Sequence, residues 1–211
     1  MISADSALLG QGEHGVDKLP EQYSFLRQQP LPPIMVRLAL EMLGTIEGAG
    51  DKDNPLIIGW ADEIAHVCKR PYDRWAADFY NKDEIPWCGL FVGVAATRAS
   101  QGRAERFPPN KYLSALAWAD WGETVDADDI QVGDVVVLVR NGGGHVFIAV
   151  GTSPDGQSIM GIGGNQTNAV TLAEFDAHRL YAVRRPRYQV KPEGARRIAL
   201  TKTGVMMTAE V

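Results

Sequence analysis

Cysteine is scarce in this chain. Two residues of 211, Cys68 and Cys88, admit at most one disulfide, and no C-x-x-C pair is present for a metal or a redox couple. No apolar run approaches the roughly 18 residues that cross a bilayer. The N-terminal M-I-S-A-D-S-A-L-L-G lacks the basic region and long apolar core of a secretory signal. The expectation is a protein made in the cytoplasm, with no membrane insertion, exported only by a route the sequence does not display. Positive charge is not in excess either. Lys and Arg total 21 against 26 Asp and Glu, and the net charge of -5 argues against a nucleic-acid or anionic-membrane partner. Arg184, Arg185, Arg187, Arg196 and Arg197 do cluster, but without an interleaved aromatic series they read as a solvated edge.

Hydrophobic residues make up 45% of the chain and charged residues 22%, ordinary values for a globular protein of one domain. Residues 1–32 mix Gly, Gln and charge and end in Q-Q-P-L-P-P, which reads as a mobile or loosely packed leader. A domain is expected over 33–187 and a patternless tail over 188–211. Met35, Leu38, Met42 and Ile46 recur on one face of a helix spanning 34–46. Asn54-Pro55 opens a second helix through Cys68, whose apolar side marks Cys68 as core. Tyr72 to Asp83 reads as a polar, aromatic loop, and residues 114–122 as a helix with Trp118 and Trp121 on one face. From Val132 the period changes to that of strands: V-G-D-V-V-V-L-V-R, H-V-F-I-A-V, S-I-M-G-I-G-G-N and Y-A-V-R-R-P, with turns at N-G-G-G and S-P-D-G-Q. Helices first and a contiguous antiparallel sheet after them is the α+β arrangement.

The chemistry centres on E-I-P-W-C-G-L-F-V-G-V-A-A-T-R-A-S, residues 84–100. Pro86 sits where a helix starts, and the small apolar run from Gly89 to Ala99 reads as a helix packed inside the domain. Cys88 on its first turn faces unpaired N–H groups and the positive end of the dipole, which favour thiolate over thiol. A cysteine nucleophile needs a base, and the base needs an orienting partner. Of the four histidines, His14 lies in the leader, while His66 and His178 suit surface positions. His145 opens a strand directly after three glycines, facing a cleft rimmed by flexible backbone. The next strand ends in G-G-N-Q, and hairpin pairing brings Asn165 close to His145. The Asn165 carbonyl is the expected acceptor for the Nδ1–H of His145. Gln166, one residue on, points to the other face of a regular strand and is expected to line the cleft or polarise a carbonyl.

W-C-G-L-F-V, A-L-A-W-A-D-W-G, V-G-D-V-V-V, G-G-H-V-F-I-A-V, G-G-N-Q-T-N-A-V and Y-A-V-R-R-P occur in this order over residues 33–187. This set resembles the CHAP and NlpC-type papain-like cysteine peptidases, closest to a branch of phage lysins and cell-wall-directed proteins. The resemblance implies a papain-like fold with a cysteine helix packed on the sheet. It implies hydrolysis of a peptidoglycan amide, as a stem-peptide endopeptidase or an N-acetylmuramoyl-L-alanine amidase. Cys88 would be the nucleophile, His145 the base and Asn165 the orienting residue, with no metal or organic cofactor. Trp87, Trp118, Trp121 and Gln166 would contact substrate, although core packing serves Trp118 and Trp121 equally well. The sequence departs from the pattern at Phe147, where relatives carry a small residue; Phe147 shares the face of His145 and would narrow the cleft or pack beneath the ring. The Glu that many CHAP members carry near the third position is also absent. Delivery would be through a holin or a contact-dependent secretion system, and an injected toxin would require a cognate immunity protein. The alternative from another class is a catalytically silent wall-binding or structural module of a phage particle or secretion apparatus.

Overall fold

A computed structural model describes residues 19–50 and 52–200, together with the backbone of 206 and 207. The expectations for residues 1–18, His14 among them, and for the end of the tail lie outside the described residues.

The helices come first: α1 (Ile34–Glu41), α2 (Pro55–Cys68), α3 (Pro71–Phe79) and α4 (Cys88–Ser100). Helix α1 stops sooner than its apolar period predicts. Gly44 turns to a φ of 82° and its N–H bonds the carbonyl of Val170, so the chain leaves the helix to pair with the sheet. Ile46, placed by the period on the buried face, is exposed. Asn54 caps α2 by accepting the N–H of Leu56 at 2.9 Å, ahead of Pro55 at the first helical position. Of the stretch expected as an aromatic loop, Tyr72 to Phe79 belongs to α3 and 80–83 stays outside any helix. Asp73 accepts the N–H of Arg70 at 2.8 Å and pairs with its guanidinium, closing the first turn. Only Asp73 and Ala76 of α3 are buried, too few to leave an apolar stripe in the sequence. The expected helix at 114–122 is a 3₁₀ segment, Ala115–Asp120.

The strands follow: β1 (Glu123–Val125), β2 (Val135–Arg140), β3 (Gly143–Thr152), β4 (Ser158–Gln166), β5 (Ala169–Asp176) and β6 (Leu180–Arg185). They pair antiparallel in the order β1-β6-β2-β3-β4-β5. No strand is expected from the sequence where β5 runs. Two short strands, β7 (Ala199–Leu200) and β8 (Met206–Met207), extend the sheet, β7 pairing parallel with β3 at Thr152. The fold is α+β.

Alternation sorts the sheet's side chains onto two faces. Val135, Val137, Val146, Ile148, Val150, Met160 and Ile162 face the helices and join the main core. Val136, Leu138, Phe147, Ala149, Ile159 and Val183 form a second cluster on the other face. The expected domain boundaries are not breaks in this packing. Tyr23 and Leu26 are buried in the main core, as are Ile198 and Leu200. The two ends also touch, since a Cβ at Gly194 would lie 2.1 Å from the carbonyl oxygen of Leu31. Residues 19–32 and 188–200 are therefore parts of the globule.

Candidate active site

Helix α4 is buried along nearly its whole length, and Trp87 before it supplies no side-chain cap. Its first-turn N–H groups are left unclaimed by any capping side chain. Glycines four apart make one side of the helix smooth. A Cβ at Gly89 would lie 2.3 Å from the carbonyl oxygen of Tyr112, and one at Gly93 would lie 3.0 Å from the Tyr112 ring. The backbone of residues 112–113 thus crosses directly over the cysteine turn, and Leu113 to Leu116 form one wall of a cleft. The strand-start turn, from Arg140 through Gly142–Gly144 to His145, forms a second wall, and Asn165 a third. The cleft has a volume of about 290 Å³, with Cys88 and His145 both on its surface.

The partner of His145 is Gln166. Nε2 of the ring lies 3.1 Å from Oε1 of Gln166. The far end of the amide decides its orientation, because Nε2 of Gln166 donates to the carbonyl oxygen and Oγ1 of Thr171 at 2.8 and 2.9 Å. A carbonyl oxygen only accepts, so the NH₂ faces Thr171 and the oxygen faces His145. The ring then donates from Nε2 and keeps its lone pair on Nδ1.

Sequence reasoning placed Asn165 here, and placed the bond on Nδ1. The bond is on Nε2, and a β-bulge accounts for the change of residue. The pairing of β4 with β5 shifts register between Gly163 and Gln166, and Asn165 adopts a φ of 56°. One left-handed residue turns the strand over, so Gln166 returns to the face where strict alternation would have put Asn165. Asn165 instead lines the cleft. The following turn continues the pattern, with Thr167 and Asn168 at φ 53° and 60°, the signature of a type I′ hairpin. Gly163 makes room for the amide, since a Cβ there would lie 2.2 Å from Oε1 of Gln166. The partnership between Gly163, Gln166 and Thr171 was missed, and its one visible signal was the absence of side chains at the strand's end.

Phe147 packs beneath the histidine and does not narrow the cleft. Its ring stacks on Phe175 at 4.3 Å, and the His145 ring lies 5.9 Å and 5.3 Å from the two. Gly161 accommodates it, as a Cβ there would lie 2.0 Å from the Phe147 ring.

Burial sets the electrostatics. It pushes the Cys88 thiol up from its ordinary value, against the backbone N–H groups of Val146, Gly89 and Cys88 and the Arg140 guanidinium, which pull it down. The thiolate expected from the helix terminus is therefore outweighed. Burial also pushes His145 down; the hydrogen bond to Gln166 opposes this, while Arg140 and Arg179 add to it. At neutral pH both groups rest uncharged.

The tryptophans are not cleft walls. Trp87 and Trp118 are fully buried and Trp121 nearly so. Their indole N–H groups donate inward to Glu47, the Tyr112 carbonyl and the Phe107 carbonyl at 2.6, 3.0 and 2.8 Å. Trp87 instead packs against Gly164, whose Cβ would lie 2.5 Å from the indole. Cys68 is buried 3.9 Å from Oγ1 of Thr97, in the core as expected. Among the described residues, no three His, Cys, Asp or Glu gather as a metal site, and no helix is long and apolar enough to cross a membrane. No protein-family model matches the chain, and no curated protein matches it.

Proposed function

We propose that this chain is a papain-like cysteine hydrolase that cleaves an amide bond of bacterial peptidoglycan through an acyl-enzyme. The observation that carries the reading is the hydrogen bond between His145 and Gln166. Thr171 orients Gln166, Gln166 holds the Nε2 proton, and the lone pair on Nδ1 is left in a ring that shares a cleft with Cys88. The peptidoglycan assignment rests on the ordered motif set of the sequence.

With both groups neutral at rest, Nδ1 of His145 takes the thiol proton as Sγ attacks the carbonyl carbon. The S–C bond forms and the carbonyl π pair moves to oxygen, where the Cys88 backbone N–H and the Asn165 amide are the donors at hand. The oxyanion collapses, the C–N bond breaks, and His145 returns its proton to the departing amine. Water then attacks the thioester with His145 as base, the S–C bond breaks, and the thiol is restored. Gln166 stabilises the imidazolium formed in each half. Acting on the wall, the protein would be delivered by a holin or a contact-dependent secretion system, the latter with an immunity protein in the producing cell.

Digestion of purified sacculi tests this. The wild-type protein should release fragments with new amino termini or lactyl ends, and these identify the bond. Folded Cys88→Ala should release none, and retained lysis would end the proposal. The burial that keeps the thiol protonated favours one second reading, a silent wall-binding module. That reading expects sacculus binding with no new termini from the wild type.

A further inference from the structure

The cleft carries one formal charge. Apart from the neutral His145 ring, its surface is built from apolar side chains, glycines, Ser114, Asn165 and the guanidinium of Arg140. Arg140 ends β2, exposed, paired across the ladder with Gly143 at the turn that leads to His145. No ion pair or side-chain hydrogen bond holds it among the described residues, although the protein carries a net charge of -5 and every other cleft-facing contact is neutral. Arg179, held at the carbonyl of Val139 at 3.4 Å outside the cleft lining, is a second cation whose charge reaches His145. An acidic protein has thus left its catalytic mouth cationic.

We infer that Arg140 is a specificity-determining residue that binds a carboxylate of the substrate, so that the preferred substrate is an anionic peptide with a free carboxylate close to the scissile amide. The inference rests on the hydrolase reading and names its substrate class. A planar guanidinium with its donors free matches a carboxylate in a bidentate pair, which supplies orientation as well as attraction. The pairing has a chemical consequence at the base. Arg140 depresses the proton affinity of the His145 ring, and a bound carboxylate cancels that influence, so the substrate's own charge strengthens the group that will take the thiol proton.

The test uses the full chain carrying Cys88→Ala, which separates binding from turnover. The probes are the tripeptide L-Ala-γ-D-Glu-L-Lys with a free α-carboxylate on its D-Glu and the same peptide with that group as a carboxamide. Calorimetry should show the carboxylate form bound about tenfold or more tightly, a ratio that shrinks as salt rises. Adding Arg140→Gln should bring the ratio close to one, and Arg140→Lys should keep part of it. Equal or undetectable binding of both peptides, or an unchanged ratio in Arg140→Gln, overturns the inference. Failure of the wild type to digest sacculi sinks the hydrolase reading alone, because the binding ratio does not need Cys88.

Discussion

Gly163→Ala should damage the candidate active site while sparing the fold. The added Cβ would lie 2.2 Å from Oε1 and 3.0 Å from Cδ of Gln166, and 3.0 Å from Cβ of Phe147. Carbon and carbonyl oxygen approach to about 3.3 Å at closest, so Oε1 must retreat by about 1 Å. The amide is the end of a flexible side chain and yields before the Phe147 backbone does. A retreat of that size takes it out of reach of Nε2 of His145, now 3.1 Å away, and loosens its bonds to Thr171. Three hydrogen bonds at a net ~0.5–1.5 kcal/mol each, partly replaced by water, cost about 1–3 kcal/mol. Ala in place of Gly in a strand returns ~0.5–1 kcal/mol. The melting temperature should therefore fall by only a few degrees.

Activity should suffer more. Without its acceptor the ring is free to flip or rotate, and kcat/KM should drop by about 100-fold, near 2.8 kcal/mol of transition-state stabilisation. The pH profile carries the specific signature. The Gln166 bond raises the proton affinity of His145, so its loss moves the acid limb of kcat/KM to lower pH. Gln166→Ala should show the same shift, and the double variant should be little worse than Gln166→Ala, since the severest clash then has no partner and only the tight contact with Cβ of Phe147 remains. Asn165→Ala should lower the rate without moving the limb. A Gly163→Ala enzyme with the wild-type profile, or a shift in Asn165→Ala equal to that of Gln166→Ala, would refute the assignment of Gln166.

Three further outcomes follow from the same structure. Iodoacetamide should label Cys88 slowly at pH 6 and faster with each step into the alkaline range, because burial raises the thiol; a rate plateau reaching down to pH 6 would mean a resting thiolate. Trp118→Ala should destabilise the protein by ~3–5 kcal/mol in a urea titration, as it empties a fully buried site and orphans the Tyr112 carbonyl; a cost below ~1 kcal/mol would place the ring at the surface. Thr167→Asn should stabilise by ~0.5–1 kcal/mol, since a β-branched residue at φ 53° is strained and Asn is not; a lower midpoint would contradict that backbone.

What was legible in the sequence was whatever a strong local signal carried. The small-residue helix at Cys88, the Asn54-Pro55 helix start and the apolar runs of β2, β3 and β4 all announced themselves, and Cys88 and the strand-start His145 line one cleft. The elements that escaped had their apolar pattern diluted. Helix α3 buries two residues, and β5 runs from buried Val170 to exposed Glu174, so neither shows a clean period. The third site residue escaped for a sharper reason. Period-2 alternation is reliable only while the ladder is regular, and a single left-handed residue at Asn165 exchanged the roles of two adjacent amides.

The rest state of the site follows from a competition the sequence displays on one side only. The helix terminus is written in the chain, and the N–H groups of Cys88 and Gly89 do act on the sulfur. The desolvation that outweighs them comes with the packing of distant chain over the site, the backbone of 112–113 laid across the glycine face of α4 among it, while the N–H of Val146, brought up by β3, works on the side of the helix terminus. The same enclosure lowers His145, so thiol and imidazole shift apart, each toward neutrality. In the proposed mechanism proton transfer then belongs to the attack, and acylation should show a normal solvent isotope effect, where a preformed thiolate–imidazolium pair would show none. The orienting amide matters more in such a site than in one with a standing ion pair. No charge holds the ring in place before substrate arrives, and in the proposed mechanism the bond to Gln166 is what fixes the ring with its lone pair on Nδ1.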